Sequence, residues 1–118
     1  AHVRPLAVDA GRVRVRPRIA VALALTADDL TVRGRMRPAA AGLHLDLLVR
    51  WPGASRWVLF GVEQEPVVTR RDGRFRLVLH SDTGYYVPLM RRARFRLAYR
   101  AEAGGPLASG SSPAVAVR

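Results

Sequence analysis

The sequence predicts an all-β fold, and three observations predict it. Arginines alternate one-for-one with apolar residues over short runs, as in Val13-Arg14-Val15-Arg16, Arg35-Met36-Arg37, Arg74-Phe75-Arg76-Leu77 and Arg94-Phe95-Arg96-Leu97. Period-two alternation marks a strand with one buried face. No sustained i, i+3, i+4, i+7 apolar stripe runs through the chain, so helix signals are nearly absent. Eight prolines and ten glycines punctuate 118 residues at short intervals. Short strands between such turn signals read as a sandwich or a barrel.

Taken in order, residues 1–17 form an N-terminal β arm. Residues 3–8 and 12–16 each suit a strand, broken by Asp9-Ala10-Gly11, and Pro17 separates the arm from residues 18–118. A strand follows over 19–25, then a turn at Thr26-Ala27-Asp28-Asp29 and a strand over 30–37 that ends at Pro38. Residues 43–50 alternate with Leu43, Leu45, Leu47 and Val49 inward and His44, Asp46 and Arg50 outward. Trp51-Pro52-Gly53 turns the chain into a strand over 57–62. Residues 67–69 and 75–80 flank Arg71-Asp72-Gly73, and Asp-Gly between alternating runs predicts a hairpin. Residues 81–92 are the least regular stretch. Residues 93–101 form a strand with Phe95, Leu97 and Tyr99 inward, Gly104-Gly105-Pro106 turns the chain, and 114–117 form the last strand.

Length and composition bound the rest. A chain of 118 residues is one domain's worth, long enough for a core without staples. Without cysteine it has neither disulfides nor a thiolate metal site. All twenty basic residues are arginine against nine acids, a net charge of +11 that attracts polyanions and acidic surfaces. The absence of lysine reads as coding bias, but the scarcity of acids does not follow from it. No apolar run approaches the ~20 residues of a transmembrane helix, so no transmembrane segment is expected. The chain opens at Ala1 without an initiator Met, as expected either of a mature secreted protein cut after a small-residue site or of a piece excised from a longer chain.

Several segments together resemble the bacterial immunoglobulin-like or fibronectin-III-like modules of secreted and surface proteins, common in actinobacteria. They are Leu30-Thr31-Val32-Arg33-Gly34-Arg35-Met36-Arg37-Pro38, Gly42-Leu43-His44-Leu45, Trp57, Thr69-Arg70-Arg71-Asp72-Gly73-Arg74-Phe75, Phe95-Arg96-Leu97-Ala98-Tyr99-Arg100 and Ser112-Pro113-Ala114-Val115-Ala116-Val117. The resemblance covers roughly residues 19–117. It implies an immunoglobulin-like β-sandwich of about seven strands over 18–118, with Trp57 as its core tryptophan beside Phe75, Leu97 and Tyr99. It implies an extracellular or cell-surface location and a spacer, stalk or assembly role. It brings no catalytic residue, cofactor or metal. Two departures stand out: arginine occupies outer positions where such modules hold Thr or Ser, and the arm lies outside the module.

Candidate chemistry is sparse. Asp82-Thr83-Gly84 is the aspartic-protease triplet, but Tyr85-Tyr86 follows it and no apolar-apolar-Gly segment lies downstream. A polar turn explains it better. His2, His44 and His80 have no ligand spacing, and solvated histidines on outer faces are the plainer account. Asp28-Asp29 and Glu63-Gln64-Glu65 lack the dense oxygen spacing of a calcium loop. The arginine ladder is the strongest signal. In the implied sandwich the strand over 30–37 neighbours that over 75–80, so Arg33, Arg35, Arg37, Arg74 and Arg76 share an outer face. Like charges in register repel, so such a face suits phosphates, acidic polysaccharide or a neighbour's carboxylates. A solvated face whose arginine stems cover apolar surface is the alternative. No aromatics interleave for base stacking and no helix enters a major groove, so sequence-specific nucleic-acid binding is not expected. Ala20, Ala22 and Ala24 alternate with large apolar residues and let something approach one side of their strand closely.

These readings predict a non-catalytic extracellular assembly protein, a homo-oligomer or polymer. Its arm, through Val3, Leu6, Val8, Val13 and Val15, adds as a strand to a neighbour's sheet edge. The arginines at 12, 14 and 16 then reach acids such as Asp46, Glu63 and Glu65. The alternative is a monomeric module with non-specific polyanion contact through the arginine face.

Overall fold

In the computed structural model, residues 14–26, 29–60, 67–80 and 87–118 are described. They form strands β1 (Arg18–Leu25), β2 (Asp29–Arg37), β3 (His44–Arg50), β4 (Val58–Leu59), β5 (Val67–Val68), β6 (Arg74–His80), β7 (Arg94–Tyr99) and β8 (Gly110–Ser111). One short helix, α1 (Val87–Arg92), precedes β7. The chain is all-β with two antiparallel sheets. One sheet has the order β1-β2-β6. The other has the order β4-β3-β7-β8, with β5 also paired to β3.

Alternation builds both sheets as the sequence predicts. Ile19, Leu23 and Leu25 of β1, Leu30, Val32 and Met36 of β2 and Phe75 of β6 are buried. They meet Leu45, Leu47 and Val49 of β3 and Phe95, Leu97 and Tyr99 of β7 in one core. That shared core makes the arrangement compatible with a β-sandwich. Thr26 closes the β1–β2 hairpin: its N–H donates to the Asp29 carbonyl at 2.9 Å, and its hydroxyl accepts from the Asp29 N–H at 3.2 Å. Gly34 lies inward beneath the Phe75 ring. A Cβ there would collide with the Ala20 carbonyl oxygen and stand 2.7 Å from Phe75 Cζ.

Several expectations need correction. The Asp72-Gly73 turn forms, with Gly73 at φ +82° and its N–H donating to the Arg70 carbonyl at 2.8 Å. Its flanking strands nevertheless do not pair: β5 joins β3 and β6 joins β2. The turn therefore carries the chain from one sheet to the other. Trp57 is not the core tryptophan. Phe60 is buried and its N–H donates to Leu47 O, which puts Trp57 out of phase with the core. Phe60 stacks edge-on against Phe95 at 5.6 Å, and Trp51 packs on Phe60 at 6.1 Å. The end of the irregular stretch is helical, with Pro88 in the first turn, where a missing N–H costs nothing. That helix buries Met90.

The last residues form bridges instead of a strand. Val115 pairs with Phe95 in one sheet and Val117 with Leu23 in the other, so the C-terminal segment spans both. Of the expected arm, Val3, Leu6, Val8 and Val13 lie outside the described residues. Val15 is bonded within its own chain: its N–H donates to Pro106 O at 3.0 Å and its carbonyl accepts from Ala108 N–H at 2.8 Å. That is a parallel bridge to Leu107. Of the five apolar arm residues, the described one thus bonds to its own molecule.

Candidate functional site

The register between β2 and β6 sets the geometry of the arginine face. Arg33 stands opposite Arg76, and Arg35 opposite Arg74. On the other side of β2, Arg37 stands opposite Arg18, Arg35 opposite Ala20 and Arg33 opposite Ala22. All five arginines expected to share a face do so, and all are exposed. Successive arginines on β2 are roughly 7 Å apart along the strand. Cross-strand partners are about 5 Å apart at Cβ.

The alanines of β1 give this face relief. Their single methyl groups lie beside longer arginine side chains and leave a shallow, open depression. Its walls include Ala20, Ala22, Arg33, Arg35, Arg74 and Arg76. A second depression continues along the face past Ala24 and Thr31 to Arg118. Arg18, Arg70 and Arg118 join the expected set. Arg18 was legible as the next period-two position before Ile19. Arg70 and Arg118 were not, because tertiary folding alone brings them there.

Few acids answer this charge. The described carboxylates are Asp29, Asp46, Asp72 and Glu102. Asp72 lies 3.8 Å from Arg74 with both side chains largely exposed. Asp72 Oδ1 also accepts from the Arg74 N–H at 3.0 Å, so its first role is to hold the turn. Asp29 Oδ1 lies 2.6 Å from His80 Nδ1 at the far end of the same face. His80 and His44 are both exposed on outer faces as expected, and His80 adds this contact with Asp29. Among the described residues, no carboxylate comes within ion-pair distance of Arg18, Arg33, Arg35, Arg37 or Arg76.

Other candidates stay apart. Asp46 lies on the outer face of the other sheet, opposite Ala98. Asp28, Glu63, Glu65 and the Asp82-Thr83-Gly84 triplet lie outside the described residues. Among the described residues, no group of three His, Cys, Asp or Glu could hold a metal ion. No helix there is long and apolar enough to cross a membrane.

What the site can do chemically is bind anions. Guanidinium forks match phosphate and sulfate oxygens bidentately. A surface of like charges, short of acids, gains most when an anion settles between them. No protein-family model, curated protein or solved structure matches the chain.

Proposed function

We propose that this chain is a non-catalytic, extracellular immunoglobulin-like β-sandwich module that binds anionic polymers without regard to their sequence. The carrying observation is the register of Arg33 against Arg76 and Arg35 against Arg74, without carboxylate partners among the described residues for Arg33, Arg35 and Arg76. The immunoglobulin-like reading draws support from strand order. Such sandwiches join first, second and fifth strands in one sheet and third, sixth and seventh in the other. β1-β2-β6 and β3-β7-β8 follow that order when one of the short β4 and β5, both paired to β3, is counted as the fourth strand and the other as an extra.

The β-face, not a groove-reading helix, makes the contact, so attraction is to backbone charge. Assembly through the arm is the second reading. What favours it is the outer edge of β6, which has no strand partner among the described residues. Such edges invite strand addition.

The experiment replaces Arg33, Arg35, Arg74 and Arg76 by Ser, singly and together, and measures affinity for double-stranded DNA and for heparin. Each single change should weaken binding modestly, and the quadruple change by far more than any single one. An unaltered affinity in the folded quadruple variant would mean that the face is only solvated.

A further inference from the structure

The two sheets send their inward side chains into one core, so their outward side chains leave in opposite directions. The outer face of the second sheet is also cationic. Arg50 of β3 stands opposite Arg94 of β7, and both are exposed. Arg96 follows on the same face, opposite Leu48. Trp57 lies over this face between two of them: the Arg96 guanidinium carbon is 4.5 Å from the ring centroid and that of Arg50 is 5.3 Å. Stacking on an aromatic ring fixes a guanidinium plane and leaves its edge free to bind. Arg96 Nε is buried without a hydrogen-bond partner among the described residues, so the outer nitrogens of that group are the ones that can serve a ligand.

Among the described residues, no carboxylate pairs with Arg50, Arg94 or Arg96. Among the described residues, the guanidinium of Arg94 donates to the backbone oxygen of Ala93, at 3.3 Å. Asp46 shares the face, diagonal to Arg96 at roughly 7–8 Å and four residues from Arg50 along β3, and is ion-paired with neither. Arg50 and Arg94 in direct register repel each other, as the pairs on the first sheet do.

We infer that Arg50, Arg94 and Arg96, set around Trp57, form a second anion site. With two such faces pointing apart, one copy of the chain bridges two strands of a phosphate- or sulfate-ester polymer. The inference rests on the polyanion reading above and adds bivalency to it. A bivalent binder joins two chains at intermediate ratio and separates them in excess, when each polymer is covered by its own proteins.

The test mixes the full chain with two short DNA duplexes, one carrying a donor dye and the other an acceptor. Energy transfer should rise at low protein and vanish in excess protein. The double variant Arg50→Ser with Arg94→Ser should still bind DNA but lose transfer. The folded quadruple variant at Arg33, Arg35, Arg74 and Arg76 should also lose transfer. It should still change the emission of Trp57 on binding, whereas the double variant should not. Bridging by the double variant at the wild-type level would overturn the inference and leave the polyanion reading intact. Absence of any binding by the wild-type protein would overturn that reading itself. Labelled heparin chains in a parallel arm show which ester the faces prefer, by which polymer is bridged at the lower protein concentration.

Discussion

Phe60 and Trp57 stand three residues apart in one apolar run, and only one of them reaches the core. Phe60 is 5% exposed and touches Phe95 and Trp51. Trp57 lies outside, between two guanidinium groups. Phe60→Ala should therefore cost about 3–5 kcal/mol, as core aromatic deletions do. Trp57→Ala should cost roughly 1–2 kcal/mol, the scale of two partly exposed cation–π contacts. Urea midpoints of both variants check the order, and a larger loss for Trp57 would put the tryptophan back in the core. Thr69 is the other residue with a sharp consequence. Its hydroxyl donates to Ala40 O at 2.6 Å and accepts from Leu43 N–H at 3.0 Å, in a buried corner between β5 and β3. Thr69→Val keeps the shape and orphans both groups, so it should cost about 1–3 kcal/mol. The phase of Phe60 could not be read from Trp57-Val58-Leu59-Phe60, because four apolar residues in a row carry no alternation. Phe75, Leu97 and Tyr99 could be read, because charged neighbours mark their faces.

At the scale of elements, the long strands were legible and their partners were less so. β1, β2, β3, β6 and β7 each alternate over six residues or more, and the structure has them within a residue or two of the expected bounds. The Asp72-Gly73 turn was legible as a turn, since local chemistry sets it. Local chemistry does not choose the sheet that each flanking strand joins; the distant β2 and β3 do. Helix α1 is too short for a periodicity to register. The arginine ladder also carries an energetic consequence. Arg33 and Arg35 each face another arginine across β2–β6, and like charges in register destabilise by a few tenths to ~1 kcal/mol. Arg33→Thr with Arg35→Thr should therefore stabilise the protein at low salt by up to about 1–2 kcal/mol. The gain should shrink as salt screens the pairs. A loss of stability at low salt would show that arginine stems packed on the sheet matter more than their charges.

For the whole molecule, both sheets share one core and the C-terminal segment ties them by bridging Val115 to Phe95 and Val117 to Leu23. Removing residues 114–118 should lower the thermal midpoint of the entire domain in a single transition, because the segment belongs to both sheets. Two separate transitions would show that the sheets melt independently. The arm was the least legible part: its alternation predicts strand pairing but not whose edge it pairs with, and Val15 is bonded to the chain's own residues 106–108. Binding to polyanions through the arginine faces needs no oligomer, and light scattering of the free protein should give a monomer mass. The most direct measurement of the central claim is the salt dependence of binding to double-stranded DNA, for the wild type and the quadruple Arg33, Arg35, Arg74 and Arg76 to Ser variant. The logarithm of the wild-type binding constant should fall linearly with the logarithm of salt, equally for unrelated sequences. The variant's slope should be shallower by about 3–4, the release expected from four lost phosphate contacts. Equal slopes in the two proteins, or a wild-type affinity that changes with DNA sequence and not with salt, would contradict the account.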